Sequence, residues 1–88
     1  MYHVYVLKCY NHHGKVIYYT GYTNNINRRI HEHLTGKSRY TKQFKGKIQL
    51  VAMKEFRSRQ SAISCERKLK HDQGEKIKFI NDNKTCID

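Results

Sequence analysis

Hydrophobic and polar positions alternate over two stretches near the start of the chain. Residues 2–9 (YHVYVLKC) and 16–21 (VIYYTG) are rich in β-branched and aromatic side chains, a composition typical of strands. Between them, residues 11–14 (NHHG) supply the asparagine and glycine that tight turns favour. The two stretches are therefore predicted to pair as an antiparallel hairpin.

The spacing of apolar residues then changes to that of a helix. Ile26, Ile30 and Leu34 recur at i, i+4 and i+8, which predicts a helix that buries this stripe. Residues 23–25 (TNN) offer caps for its beginning, and Gly36 is suited to its end.

The second half of the chain repeats the alternation of strand and helix. Residues 37–45 form a basic loop, and residues 48–56 are predicted to form a third strand. Ser58 is placed to cap a second helix that runs to about residue 71. From residue 74 onward we expect only a short amphipathic segment and a polar end.

This order of elements predicts an α+β fold, a small three-stranded antiparallel sheet flanked by helices. A chain of 88 residues is long enough for one domain. We therefore expect a single domain over residues 1–88, with its core at about residues 2–71 and a divergent tail at residues 72–88.

Net charge narrows the class of partner. Lysine and arginine total 18 against 7 acidic residues, giving a formal charge of +11. Such an excess opposes folding by self-repulsion, and a nucleic acid would neutralise it. Three cysteines without a C-x-x-C pair argue against a disulfide framework. With no long apolar run or export signal, the sequence predicts a cytoplasmic protein without membrane contact, or a nuclear one in a eukaryote.

Polar residues in apolar positions indicate where the chemistry lies. Tyr5 and Tyr19 can share one face of the hairpin, because side chains alternate with a period of two. Arg29 and His33 are four residues apart on the first helix and border its buried stripe. Glu66 lies within the apolar stripe of the second helix, where its carboxylate requires a cationic partner or a metal.

Together these side chains predict a site for phosphodiester hydrolysis. One carboxylate, with water and phosphate oxygens, is enough for Mg²⁺, which keeps much of its water shell. Arg29 is suited to the phosphoryl oxygens, and a tyrosine whose pKa is lowered by neighbouring cations can transfer a proton. From the residues alone, the general base can be Tyr5, Tyr19 or His33.

The same residues resemble the GIY-YIG endonucleases. Residues 3–5 (HVY) resemble the family's first tripeptide, with histidine at the usual glycine position. Residues 19–21 (YTG) resemble the second tripeptide, with threonine replacing isoleucine. Residues 21–33 are similar to the helix signature, and residues 61–70 (SAISCERKLK) to the later helix that carries a metal-binding glutamate.

The resemblance implies a DNA endonuclease that depends on Mg²⁺ or Mn²⁺. It gives Tyr5 the role of general base and Tyr19 that of positioning the water network. It assigns Arg29 and His33 to the phosphate, and Glu66 to the metal.

Substrate recognition is expected to depend on phosphates and on the shape of the DNA. Larger family members add a separate DNA-reading domain, which this sequence does not show. We therefore predict a structure-selective or weakly sequence-specific nuclease of DNA repair or recombination. A homodimer or a protein partner would help so small a domain hold a branched substrate. The candidate DNA contacts are Lys37, Arg39, Tyr40, Lys42, Lys45, Lys47, Arg57 and Arg59.

Other functions are compatible with the same sequence. The domain can be a nucleic-acid-binding module without turnover, or a subunit that requires an activating partner. It can also be a protein-binding adaptor whose charge serves solubility. The asparagine that many family members use after the glutamate is left unassigned between Asn81 and Asn83.

Overall fold

A computed structural model describes residues 1–38, 41–44 and 47–87, except for the side chains of Lys42, Cys86 and Ile87. In chain order the elements are β1 (Tyr2–Tyr10), β2 (Val16–Thr23), α1 (Ile26–Leu34), a 3₁₀ helix (Thr41–Phe44), β3 (Ile48–Phe56), α2 (Arg59–His71), α3 (Gln73–Asp82) and β4 (Lys84–Ile87). Of the helices in these ranges, none combines the length and the apolar character needed to cross a membrane.

The four strands form one antiparallel sheet in the order β2-β1-β3-β4. The predicted hairpin joins β1 to β2, and Gly14 in its turn has φ +79°, a conformation that glycine adopts without strain. In this hairpin Tyr5 lies opposite Gly21, and Leu7 lies opposite Tyr19. Strand β1 is central, so its side chains are buried on both faces of the sheet.

A separate apolar cluster covers each face of the sheet. On one face, α2 and α3 pack on β1 and β3 through a cluster made of Val4, Val6, Ala52, Ala62, Leu69 and Phe79. On the other face, α1 and the 3₁₀ helix cover a cluster made of Tyr5, Leu7, Cys9, Phe44 and Leu50. Tyr5 and Tyr19 lie on this second face.

The α+β class and the three predicted strands are confirmed, and the tail adds further structure. Asp72 caps α3, where its side chain accepts a hydrogen bond from the Glu75 backbone N–H at 3.2 Å. Phe79 of α3 is buried in the first cluster. Strand β4 then extends the sheet beside β3. The tail therefore contributes a third helix and a fourth strand.

Helix α1 has the predicted position but buries a different side chain. Asn25 caps it by accepting from the Arg28 backbone N–H at 3.1 Å. The expected buried stripe is wrong at Leu34, which is 46% exposed, whereas His33 is completely buried. Neighbouring residues on a helix point about 100° apart, so α1 is turned toward the hydrogen-bond partners of His33 and away from Leu34.

Candidate active site

Three rings lie together where β1, β2 and α1 meet. The Tyr5 and Tyr19 ring centroids are 6.4 Å apart, and the His33 ring is 5.6 Å from Tyr5 and 5.3 Å from Tyr19. The strand register places the two tyrosines on one face of the hairpin, because Tyr5 pairs with Gly21, two residues beyond Tyr19. The structure therefore brings together the two tyrosines and the histidine that the sequence singled out.

Gly21 makes room for the phenol ring of Tyr5. A Cβ atom at this position would lie 2.5 Å from Tyr5 Oη, 2.7 Å from Tyr5 Cζ and 3.3 Å from Tyr19 Cε1. Only a residue without a side chain allows this approach of ring to backbone. The sequence reasoning gave Gly21 no role, although the signal was a glycine inside a strand next to a tyrosine.

His33 is buried, and both of its ring nitrogens have protein partners. Nε2 is 2.9 Å from the Tyr5 hydroxyl, and Nδ1 is 2.6 Å from Thr41 Oγ1. Burial, with a smaller contribution from the neighbouring Arg29 charge, lowers the pKa of His33 to about 4. The ring is therefore neutral near pH 7, and its two nitrogens contact Tyr5 and Thr41, so the expected role of His33 at the substrate phosphate stays a prediction.

Arg29 lies at the edge of the ring cluster with about a third of its side chain exposed. Its Nη1 donates a hydrogen bond to Glu32 Oε1 at 3.0 Å. Burial acts to lower the pKa of Arg29, but interactions with Glu32, Tyr5 and Tyr19 outweigh it, so the net shift is upward. The guanidinium is thus held as a permanent cation against both tyrosines. Glu32 was missed in the sequence, where its i, i+3 spacing from Arg29 was the signal.

The pKa of Tyr5 is set by its buried position. Burial raises the pKa of Tyr5 to about 12, because the opposing effect of Arg29 is smaller than the loss of solvent. Tyr5 therefore does not meet the condition stated from the sequence, a tyrosine pKa lowered by neighbouring cations. Its hydroxyl carries a proton near pH 7 and can act as a base only if that proton has an acceptor.

Glu66 lies on α2 and is mostly buried, with 15% of its side chain exposed. Its Oε1 is 3.6 Å from Nζ of Lys70, one turn later on the same helix. Its charge also reaches Tyr5, where it acts to raise the pKa of the phenol. The carboxylate is therefore close to the tyrosine cluster and is balanced by a half-exposed lysine.

The metal-binding side chains of the site are few, and this limits the type of divalent cation that they could hold. Within the described ranges, no group of three histidine, cysteine, aspartate or glutamate side chains lies close enough to hold a metal. Transition metals that require several protein ligands do not match this arrangement. The single, partly exposed carboxylate of Glu66 could hold Mg²⁺ or Mn²⁺, since Mg²⁺ is commonly held by one or two carboxylates, water and substrate phosphates.

The predicted DNA contacts are only partly described by the structure. Lys37, Lys47, Arg57 and Arg59 are exposed. Arg59 lines an open cleft of about 500 Å³ together with Arg29, so it borders the candidate site. Arg39, Tyr40, Lys45 and the side chain of Lys42 lie outside the described residues.

Comparison with known proteins gives one family. A family model described as the GIY-YIG catalytic domain matches residues 1–79. A UPF0213 protein of Limosilactobacillus reuteri is 36% identical over 85 residues, which cover 93% of this chain and 84% of the relative. A UPF0213 protein of Halalkalibacterium halodurans is 38% identical over 69 residues, which cover 78% of this chain and 69% of that relative. No solved structure matches.

The matched region contains the whole candidate site. It includes both tyrosines, the arginine and histidine of α1, and Glu66 of α2. These residues lie on β1, β2, α1 and α2, the same order along the chain as the motifs found in the sequence. The chain belongs to the GIY-YIG catalytic domain family, a family of nuclease domains.

Proposed function

We propose that this protein is a metal-dependent endonuclease that hydrolyses phosphodiester bonds in DNA. The observation that carries the proposal is the network of Tyr5, Tyr19, His33 and Arg29, with the Glu66 carboxylate beside it. A cation for the phosphate, a proton relay and a metal-binding carboxylate together supply what metal-dependent phosphodiester hydrolysis uses.

Arg29 holds the scissile phosphate. Its guanidinium is permanently charged and reaches the partly exposed edge of the site. The planar fork can donate two parallel hydrogen bonds to phosphoryl oxygens, which a lysine cannot match. Glu32 keeps the fork in place, and the phosphate adds a second anionic partner to the exposed side of Arg29.

Tyr5 and His33 transfer the proton of the attacking water. The water gives a proton to Tyr5 Oη while the phenol proton passes to Nε2 of His33, 2.9 Å away. The tyrosine begins and ends this step neutral, so its raised pKa is no obstacle, and the histidine ends as an imidazolium. Tyr19 lies against both rings and positions the water.

Glu66 holds the cation, Mg²⁺ or Mn²⁺, with water and substrate oxygens as the other ligands. When bound, this cation supplies positive charge at the scissile phosphate and at the leaving oxygen. Lys70 balances the Glu66 carboxylate in this structure, and its exposed ammonium is free to move aside toward the DNA backbone.

The proposed substrate is DNA recognised by its structure or by weak sequence preference, as in repair and recombination. The exposed basic residues contact phosphates, which carry no sequence information. Arg59 shares its cleft with Arg29 and is the described contact nearest the proposed cleavage point. A homodimer or a protein partner in the cytoplasm completes the binding of branched DNA in this proposal.

The test is cleavage of labelled duplex, flap, splayed-arm and four-way-junction DNA with Mg²⁺, with Mn²⁺ and with EDTA. Glu66→Gln removes the carboxylate charge without changing its size. Glu75→Gln is the matched control, because Glu75 also pairs with a helical lysine, Lys68, at 3.7 Å. DNA affinity of each variant is measured in parallel.

We expect metal-dependent cutting that Glu66→Gln abolishes and Glu75→Gln retains, with DNA affinity preserved in both. The preferred substrate then defines the structural selectivity. Salt-sensitive binding without cutting by the natural sequence would favour the non-catalytic module or a subunit that requires an activating partner. Cutting that survives in EDTA or in Glu66→Gln would overturn the metal assignment.

A further inference from the structure

Thr41 is a buried threonine whose hydroxyl contacts the proposed proton relay. It is the first residue of the 3₁₀ helix Thr41–Phe44, eight residues beyond His33, and is completely buried. Its Oγ1 is 2.6 Å from His33 Nδ1. The contact joins the 3₁₀ helix to Nδ1 of the imidazole, whereas Tyr5 contacts Nε2.

The directions of the hydrogen bonds that link Tyr5, His33 and Thr41 follow from which atoms carry a proton to donate. Tyr5 is 1% exposed, so its single hydroxyl proton requires an acceptor within the protein. Arg29, which also interacts with Tyr5, can only donate. Among the described contacts of Tyr5, Nε2 of His33 at 2.9 Å is the acceptor.

A neutral imidazole that accepts at Nε2 carries its proton at Nδ1. That proton points at Thr41 Oγ1, which accepts it at 2.6 Å. We propose that Thr41 is a positioning residue that holds His33 in the Nδ1–H tautomer, so that Nε2 stays available to receive the Tyr5 proton. This inference deepens the proposed function and rests on it for its catalytic consequence.

The arrangement follows the logic of a nucleophile, a base and an orienting third group. Thr41 touches neither DNA nor metal in this scheme and acts through the imidazole. When His33 becomes an imidazolium, the Thr41 oxygen still accepts the Nδ1 proton. The same orientation of the ring therefore satisfies Nδ1–H in both charge states. Without this oxygen, a buried Nδ1–H would lack a partner, and the ring would be free to adopt the other tautomer.

The first test is the tautomer of His33 in the natural sequence, measured by NMR of the ¹⁵N-labelled protein near pH 7. The chain has six histidines, and the His33→Gln spectrum identifies the His33 signals. We expect a protonated Nδ1 and an unprotonated Nε2. An Nε2–H tautomer would overturn the inference, whatever the variants do.

The second test removes the threonine hydroxyl without changing its shape. Thr41→Val is expected to shift His33 toward the Nε2–H tautomer and to lower the cleavage rate constant about tenfold to a hundredfold, the effect of losing a comparable orienting partner. Thr41→Ser restores the hydroxyl and is expected to recover both. Thr20→Val is the matched control, because Thr20 is buried and its hydroxyl has no hydrogen-bond partner among the described residues.

An unchanged tautomer and rate in a folded Thr41→Val protein would overturn the role of Thr41. If Thr41→Val does not fold, the tautomer of the natural sequence and of Thr41→Ser still decides the question. Absence of cleavage by the natural sequence would count against the proposed function alone, because the tautomer is measured without substrate.

Discussion

Individual atoms decide whether the tyrosine cluster can form. Gly21 lies opposite Tyr5 in the hairpin, and its missing side chain is the space that the phenol occupies. His33 is neutral and buried because Tyr5 and Thr41 satisfy its two nitrogens. The neighbouring Arg29 charge also favours the neutral form of His33, so packing, hydrogen bonding and this charge together govern the site at this scale.

Gly21→Ala tests the packing. A Cβ would lie 2.5 Å from Tyr5 Oη, so the ring must move by about an ångström. Overpacking of this kind costs about 1–3 kcal/mol of unfolding free energy. Such a displacement at a reacting group lowers the cleavage rate about a hundredfold.

The control is Gly74→Ala on α3, where the new Cβ would meet Asp72 Oδ1 at 3.3 Å. The Asp72 side chain must give by a few tenths of an ångström, which offsets the gain of about 0.5–1 kcal/mol from alanine in a helix, and cleavage should not change. Equal activity of the two variants would show that Tyr5 does not need the space above Gly21.

His33 also predicts a pH dependence of stability. Its pKa is about 4 in the folded protein and about 6.5 when unfolded, so the unfolded chain binds the proton first as the pH falls. The contribution of His33 is therefore complete above about pH 6.5 and is lost between about pH 6.5 and 4, by about 3 kcal/mol.

The measurement is urea unfolding of the natural sequence and of His33→Gln at several values between pH 7 and 4. The difference between the two proteins removes the contributions of the other histidines. We expect the natural sequence to lose about 3 kcal/mol more than the variant over this range. Parallel curves would show that His33 titrates normally in the fold.

Whole elements decide how the site residues are held. Helix α1 brings Arg29 and His33 to the tyrosine face, and α2 brings Glu66 from the other side of the hairpin. Phe79 of α3 is buried in the cluster on which α2 packs, together with Ala62 and Leu69 of α2. The tail is therefore part of the support for Glu66.

Phe79→Ala tests the contribution of α3. Phe79 is 7% exposed, and truncation of a buried phenylalanine costs about 3–5 kcal/mol. The control is Ile77→Ala on the same helix, where Ile77 is 59% exposed and the cost should stay within about 0.5 kcal/mol. Both are measured by urea unfolding. A cost below about 1 kcal/mol for Phe79→Ala would mean that α3 is dispensable to the core.

At the scale of the whole molecule, the excess of positive charge favours a polyanion as the binding partner. A formal charge of +11 on 88 residues attracts polyanions at long range, whatever the orientation of the active site toward them. Lys37, Lys47, Arg57 and Arg59 are four exposed cations among the predicted DNA contacts. Binding through such contacts releases counterions, so affinity depends on salt.

The affinity of Glu66→Gln for duplex DNA should fall about a hundredfold between 50 and 200 mM salt, which corresponds to about four phosphate contacts. Lys47→Gln should reduce the slope of log Kobs against log salt by about 0.9. Lys78→Gln, an exposed lysine of α3 outside the predicted contacts, should not change it. A slope near zero for all three proteins would favour the protein-binding adaptor.

The amino-acid sequence was sufficient for three strands and two helices, whose patterns depend on neighbours along the chain. Alternation gave three strands, and cap residues located α1 and α2, because hydrogen bonds from Asn25 and Ser58 to nearby backbone N–H groups are local. The tail was underestimated, since β4 has four residues and its pairing with β3 is a long-range contact. The order of motifs also identified the family.

Only the tertiary structure decided which hydrogen-bond partners and which pKa shifts the site residues have. The sequence could not show that His33 would replace Leu34 on the buried side of α1, since its partners Tyr5 and Thr41 lie on other elements. It also could not show that burial would outweigh Arg29 in setting the pKa of Tyr5. Desolvation and hydrogen-bond partners come from packing between distant segments, and spacing along one helix does not determine them.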